Sequence, residues 1–197
     1  MMNTDTQSNR ALNPDKALLE LSAGNRRFSL GAGIHPNQTL YRRDEIVSDQ
    51  HPFAAIFCCS DSRVPPEIIF DCGLGDLSVV RSAGHSVDES ALASLQYAAG
   101  PLGVKLILVL GHSNCGAVKS AIEGMKAPGP LGSLLDKIRP AVTAASGRAG
   151  DPLDNAAIEN IRMTLARLKG ADWAKELMIV GAYYDLKSGL VAMDPSI

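Results

Sequence analysis

Apolar positions fall into two rhythms along the chain, and the two alternate. Leu18, Leu21 and Phe28 recur at helical spacing behind Asn13-Pro14, a capping side chain followed by a first-turn proline. This predicts a helix over residues 14–30, broken by the glycines and proline of 31–36. Residues 53–58 form a short apolar run suited to a buried strand, and 77–80 form a second. Helical spacing returns over 86–100, with Leu92, Leu95 and Ala99 near one face. Residues 104–110, Val-Lys-Leu-Ile-Leu-Val-Leu, make the clearest buried strand. A helix is predicted over 117–125, a Pro- and Gly-rich loop over 126–132, and helices over 134–145 and 155–168. The last strand spans 177–186 and ends in a turn at Ser188-Gly189. Strands alternating with helices predict an α/β fold: a single domain with a mainly parallel central β-sheet flanked by α-helices. Within it, residues 1–35 are an N-terminal helical arm and 36–197 the body.

Composition narrows the function classes. With 197 residues, 46% of them hydrophobic and 20% charged, the chain can bury one substantial core. Its 19 basic and 21 acidic residues leave a net charge of −2, which predicts neither a nucleic-acid partner nor an anionic membrane surface. No apolar run approaches the roughly 20 residues of a membrane span. Residues 1–13 are polar and lack the apolar stretch of a secretion signal, so a cytoplasmic protein is expected. A core of this size does not need disulfides, so Cys58, Cys59, Cys72 and Cys115 are expected as reduced thiols or metal ligands.

Three soft ligands stand out by position. Cys59 closes the first strand, His112 directly follows the third, and Cys115 comes three residues later at the start of a helix. Ligands of open parallel sheets gather at the carboxyl ends of strands. A helix start favours the thiolate that binds metal. Two thiolates and an imidazole suit Zn²⁺, and three protein ligands leave a fourth position open, as in catalytic sites. Each residue also has an ordinary reading: a cysteine after a strand as a small buried hydrophobe, a lone histidine as a satisfied side chain. The neighbours favour the metal. Asp61 and Arg63 follow Cys59 closely, and a guanidinium that grips the carboxylate would hold Asp61 ready to accept a hydrogen bond from water or hydroxide. Otherwise the pair is a solvated turn. Cys58 should point to the opposite face of its strand from Cys59, and Cys72 has no motif partner; both read as packing residues.

Cys-Ser-Asp-Ser-Arg-Val at 59–64 and Gly-His-Ser-Asn-Cys-Gly-Ala at 111–117 resemble the paired signatures of β-class carbonic anhydrases. The resemblance extends over most of the chain, through 20–28, 75–84, 94–98 and 180–186. It implies zinc-dependent reversible hydration of carbon dioxide to bicarbonate and a proton. It further implies Cys59, His112 and Cys115 as zinc ligands and Asp61 and Arg63 as the catalytic pair, with Asp61 becoming a fourth ligand in closed forms of the family. Gln50, Gly116 and Tyr97 match substrate-binding positions, although each also reads as a loop, helix-start or core residue. A homodimer or homotetramer is implied, its N-terminal helical arm packing on a partner subunit through Leu18, Leu21 and Phe28. The sequence departs from the family at Ser78, where phenylalanine is common, and at Ile56, where some regulated members carry a tryptophan. With Arg81 and Tyr184 that tryptophan forms a non-catalytic bicarbonate pocket, which is therefore expected to be weak or missing here. His85 occupies a position shared between asparagine and histidine. Two alternatives remain open from the residues: a carbonyl sulfide or carbon disulfide hydrolase on the same scaffold, and a protein with a structural zinc. A nucleotide-binding module is a poor third, because no phosphate-binding glycine motif follows a strand.

Overall fold

The computed structural model describes residues 12–193. Five strands form one sheet in the order β2-β1-β3-β4-β5: β1 (Ala54–Cys59), β2 (Leu77–Ser82), β3 (Leu106–His112), β4 (Met178–Tyr184) and β5 (Val191–Met193). The first four are parallel and β5 runs antiparallel to β4. The predicted α/β architecture is the observed one. Every residue of β1 and β3 is buried, which is why their sequences are continuous apolar runs: helices cover both faces.

On one face Ile56, Cys58, Leu106, Leu108 and Leu110 pack under α1 (Pro14–Ser29) and α3 (Pro66–Ile69). On the other, Ala55, Phe57, Ile107 and Val109 pack under α4 (Glu89–Ala99) and α7 (Pro152–Lys169). Each fully buried Leu, Ile or Phe contributes roughly 2 kcal/mol through burial. A one-residue slip would swap the faces, so this burial fixes the register and keeps the carboxyl ends of β1 and β3 level. A third cluster, from α5 (Gly116–Ile122), α6 (Gly129–Ala145) and the start of α7, closes over those ends.

The N-terminal helix follows its sequence signals. Asn13 accepts a hydrogen bond from the Asp15 N–H at 2.8 Å, and Pro14 occupies the first turn. Ala17 and Leu21 are buried against the chain's own sheet, with Leu18 and Phe28 packed at the margin. The apolar face expected to cover a neighbour is thus covered within the chain, while Leu19, Leu30 and Ile34 stay exposed. Buried Asn25 staples this helix down: its amide donates to the carbonyls of Ile69 and Gly189, and its oxygen accepts the Val191 N–H at 2.8 Å.

Outside the predicted set lie α2 (Leu40–Glu45), α3, β5 and two short 3-10 helices, Ala83–His85 and Asp172–Ala174. The segment 126–132 is only partly a loop, because α6 begins at Gly129 with Pro130 in its first turn, where the missing N–H has no intrahelical partner to lose. The third strand starts at Leu106 and runs through His112, so the histidine is its last residue and does not follow it.

Candidate metal centre

Cys59 and His112 are the terminal residues of two adjacent parallel strands, and Cys115 is the residue on which α5 starts. The three ligand atoms lie within 4.8 Å of one another. All three residues are buried, at 4%, 1% and 2% exposure. Strand alternation sends Cys58 into the α1 side of the core and Cys59 to the side of α5–α7, as the sequence predicts. Burial pushes both Cys58 and Cys72 up to about 12, so these two behave as small apolar side chains. All four cysteines are free thiols.

The loop between His112 and Cys115 is tied down at several points. The Ser113 N–H donates to the Tyr184 carbonyl at 2.9 Å, the Ser113 hydroxyl oxygen accepts the Leu186 N–H, and Asn114 turns the chain at φ 57°. His112 Nδ1 lies 2.8 Å from the Ser113 carbonyl, a contact only a ring N–H can make favourable. The proton is thereby placed on Nδ1, and Nε2 is left as a bare acceptor. That Nε2 is buried and has no hydrogen-bond partner among the described residues. An orphaned imidazole nitrogen beside two thiols is what a metal ion satisfies, and this donor set suits zinc. The Cys115 thiol donates to Cys59, which holds the Cys59 thiol well below the ordinary range and pushes Cys115 up. A cation bound here would take the place of thiol protons, because the sulfurs ligate as thiolates.

Asp61 and Arg63 form the bidentate pair expected of them. Arg63 Nε donates to one carboxylate oxygen at 2.9 Å and Nη2 to the other at 2.7 Å. The Arg63 backbone N–H adds a third bond at 2.9 Å, and Nη2 also reaches the Asn114 carbonyl on the second ligand loop. This grip pulls the Asp61 carboxyl down to about 2, so it is ionised at any working pH. Asp61 lies outside the three-residue cluster, its carboxylate turned to Arg63.

A model of the carbonic anhydrase family matches residues 54–191, and both signatures lie inside the match. The chain belongs to the β-carbonic anhydrase family. It is therefore a carbonate dehydratase, a lyase. It is 37% identical to a carbonic anhydrase of Mycolicibacterium smegmatis over 92% of this chain and 93% of that one. It is 38% identical to carbonic anhydrase 2 of Mycobacterium tuberculosis over 90% and 91%. Among solved structures, the β-carbonic anhydrase CcaA superposes with a TM-score of 0.70 at 28% identity, covering 89% of this chain and 94% of that one. A tetrameric β-carbonic anhydrase of Sordaria macrospora shares the fold, with a TM-score of 0.70 at 22% identity over 91% and 96%.

The remaining sequence candidates separate. Gln50 and Tyr97 come together, with Ser78, in a cleft of about 700 Å³ along β2 and α4. Its lining includes neither the three ligands nor Asp61 and Arg63. Gly116 is the first residue of α5, and a Cβ there would meet nothing within 4 Å. Arg81 is committed to the carbonyls of Cys59 and Asp61, Tyr184 is buried beside Phe28, and Ile56 is core. With Arg81 bonded to two backbone carbonyls and Tyr184 packed, a weak or missing bicarbonate pocket remains the expectation. Bicarbonate is therefore expected to inhibit along a hyperbolic curve. Steady-state inhibition that proves steeply sigmoidal, and becomes hyperbolic on changing Arg81, contradicts this.

Sequence reasoning missed the groups behind the sulfur. Gly84 donates its N–H to Cys59 Sγ at 3.1 Å. Asn160 on α7 donates to the Gly84 carbonyl and to His85 Nε2. A signal was present: Asn160 interrupts the apolar stripe of Ala157, Ile161, Leu165 and Leu168.

Proposed function

We propose that the chain catalyses reversible hydration of carbon dioxide to bicarbonate and a proton, with Zn²⁺ held by Cys59, His112 and Cys115. The observation that carries this is the unpartnered His112 Nε2 facing two thiols, beside a carboxylate that arginine holds away from them. Zinc there supplies Lewis acidity that makes water a usable nucleophile, tempered by two thiolate charges, so activity favours neutral to alkaline pH. Asp61 does the orienting. Ionised and fixed by Arg63, it accepts a hydrogen bond from the nucleophile and turns a lone pair toward the carbon of CO₂. In this reading Gly116, next to Cys115, binds substrate; Gln50 and Tyr97, which line the β2–α4 cleft, would do so from a partner copy whose cleft adjoins the centre.

The same chemistry on carbonyl sulfide or carbon disulfide is the rival, and side-by-side turnover of the three substrates tests the assignment. CO₂ hydration is expected to exceed the other two, and faster turnover of either sulfur compound would reassign the enzyme.

Assembly as a homodimer or homotetramer belongs to the same proposal. Among the described residues the β2 strand has an unpaired edge, and α2 buries none of its residues. Leu30, Ile34, Leu40, Tyr41 and Val47 are all largely exposed within one short stretch, an apolar surface that suits a partner copy. The arm, 1–35, contributes part of it. Light scattering at micromolar concentration is expected to give at least a dimer, and a monomer would exclude it. Reduced thiols at every cysteine fit a cytoplasmic enzyme. Among the described residues no helix is long and apolar enough to cross a membrane.

A further inference from the structure

Asn160 is a polar side chain on the buried face of α7, among Ala156, Ala157, Ile161, Leu165 and Leu168. A buried amide without partners is costly, so its bonds show what holds it there. Its nitrogen donates to the Gly84 carbonyl at 2.8 Å and lies 3.0 Å from His85 Nε2. Both hydrogens of one amide are thereby spent on consecutive residues of a single 3-10 turn, Ala83–His85. That turn is not a relaxed one. Gly84 sits at φ 59° and His85 at φ 41°. A Cβ on Gly84 would come within 2.6 Å of Ile138 Cδ1, so the turn is wedged under α6 as well as bent. The Ser82 hydroxyl closes it from the other side by donating to the Ser86 carbonyl at 2.8 Å. The turn presents the Gly84 N–H to the ligand cluster, donated to Cys59 Sγ at 3.1 Å.

We infer that Asn160 is a positioning residue for the metal centre: it locks the Ala83–His85 turn so that the Gly84 N–H stays aimed at the Cys59 sulfur. The inference rests on the zinc reading above and extends it to a residue far from the ligands in sequence. An N–H donated to a metal thiolate draws charge from the sulfur, which leaves the metal a stronger Lewis acid than two undamped thiolates would allow. Asn160 acts through the turn and touches neither metal nor substrate.

The test uses Co²⁺-substituted protein, whose sulfur-to-metal charge-transfer band reports the donor strength of the thiolates. Asn160→Leu and the isosteric Asn160→Asp, which removes both N–H donors, are compared with the parent and with Thr164→Val, a buried substitution one turn further along the same helix. Both Asn160 variants are expected to shift the band to lower energy. In the zinc forms they are expected to move the alkaline rise of kcat to higher pH. Thr164→Val is expected to leave band and profile in place, whatever it does to the melting temperature. A parent band that neither Asn160 variant moves, with melting temperature alone lowered, would overturn the inference and leave the zinc site standing. A parent protein with no charge-transfer band would remove the metal reading, and the inference with it.

Discussion

Arg63→Ala is expected to keep its zinc and lose about 10²–10³-fold in CO₂ hydration, the scale on which preorganised hydrogen-bonding groups act. The ligands are untouched, so metal content should match the parent. What changes is Asp61. Its two oxygens are held by two guanidinium nitrogens and a backbone N–H, and only the backbone bond survives the substitution. A carboxylate freed beside a cation is drawn to it, and a fourth protein ligand takes the position that water needs. Asp61→Ala should also be slow, but with that position still open to exchangeable water. The pair is stable against acid on its own account. Because the Asp61 carboxyl is pulled down to about 2, its contribution is complete above the ordinary carboxylate value and is lost only as pH falls through about 2. Kinetics and elemental analysis on the two variants check this. Near-native turnover of zinc-loaded Arg63→Ala would reduce the pair to a surface ion pair.

Cys115→Ser is expected to abolish both metal and activity. Losing a group that merely supports a ligand costs roughly 10–100-fold in metal affinity, and losing a thiolate ligand should cost more. The substitution is nearly isosteric at a buried N-cap, so the fold should survive while the zinc does not. Elemental analysis beside circular dichroism separates these outcomes, and a full zinc complement in Cys115→Ser would refute the ligand set. Metal loss from the parent should also begin on acidification, because each ligand binds only when deprotonated, and it should precede breakage of the Asp61–Arg63 pair.

The parts of the fold read correctly from the sequence are those where burial leaves a periodic trace. Buried β1 and β3 are unbroken apolar runs, and α7 carries a stripe at helical spacing. The elements that left no trace are the ones that bury little. α2 is held by its Thr39 cap and by Arg42 bonds to Glu45 and Leu74, with no apolar face to read. β5 is three residues long and owes its place to the hairpin from β4 and the Asn25 staple. At the site, the Cys59–His112–Cys115 cluster was legible because two short motifs carry all three residues. The Asp61–Arg63 grip was legible because it is local. The Asn160–Gly84–Cys59 connection was not, because it joins three separated segments through backbone groups that have no sequence signature. Gln50 and Tyr97 were read as part of one site, yet within the chain they line a neighbouring cleft along the β2 edge, a separation that depends on three-dimensional packing.

The central claim is that Cys59, His112 and Cys115 hold a catalytic zinc. Its most direct test is zinc content and CO₂ hydration measured on one preparation of the purified protein before and after chelation. One zinc per chain is expected, with hydration that disappears on chelation and returns in proportion to zinc restored. Full hydration by protein free of zinc, or bound zinc with no hydration across neutral and alkaline pH, would contradict it.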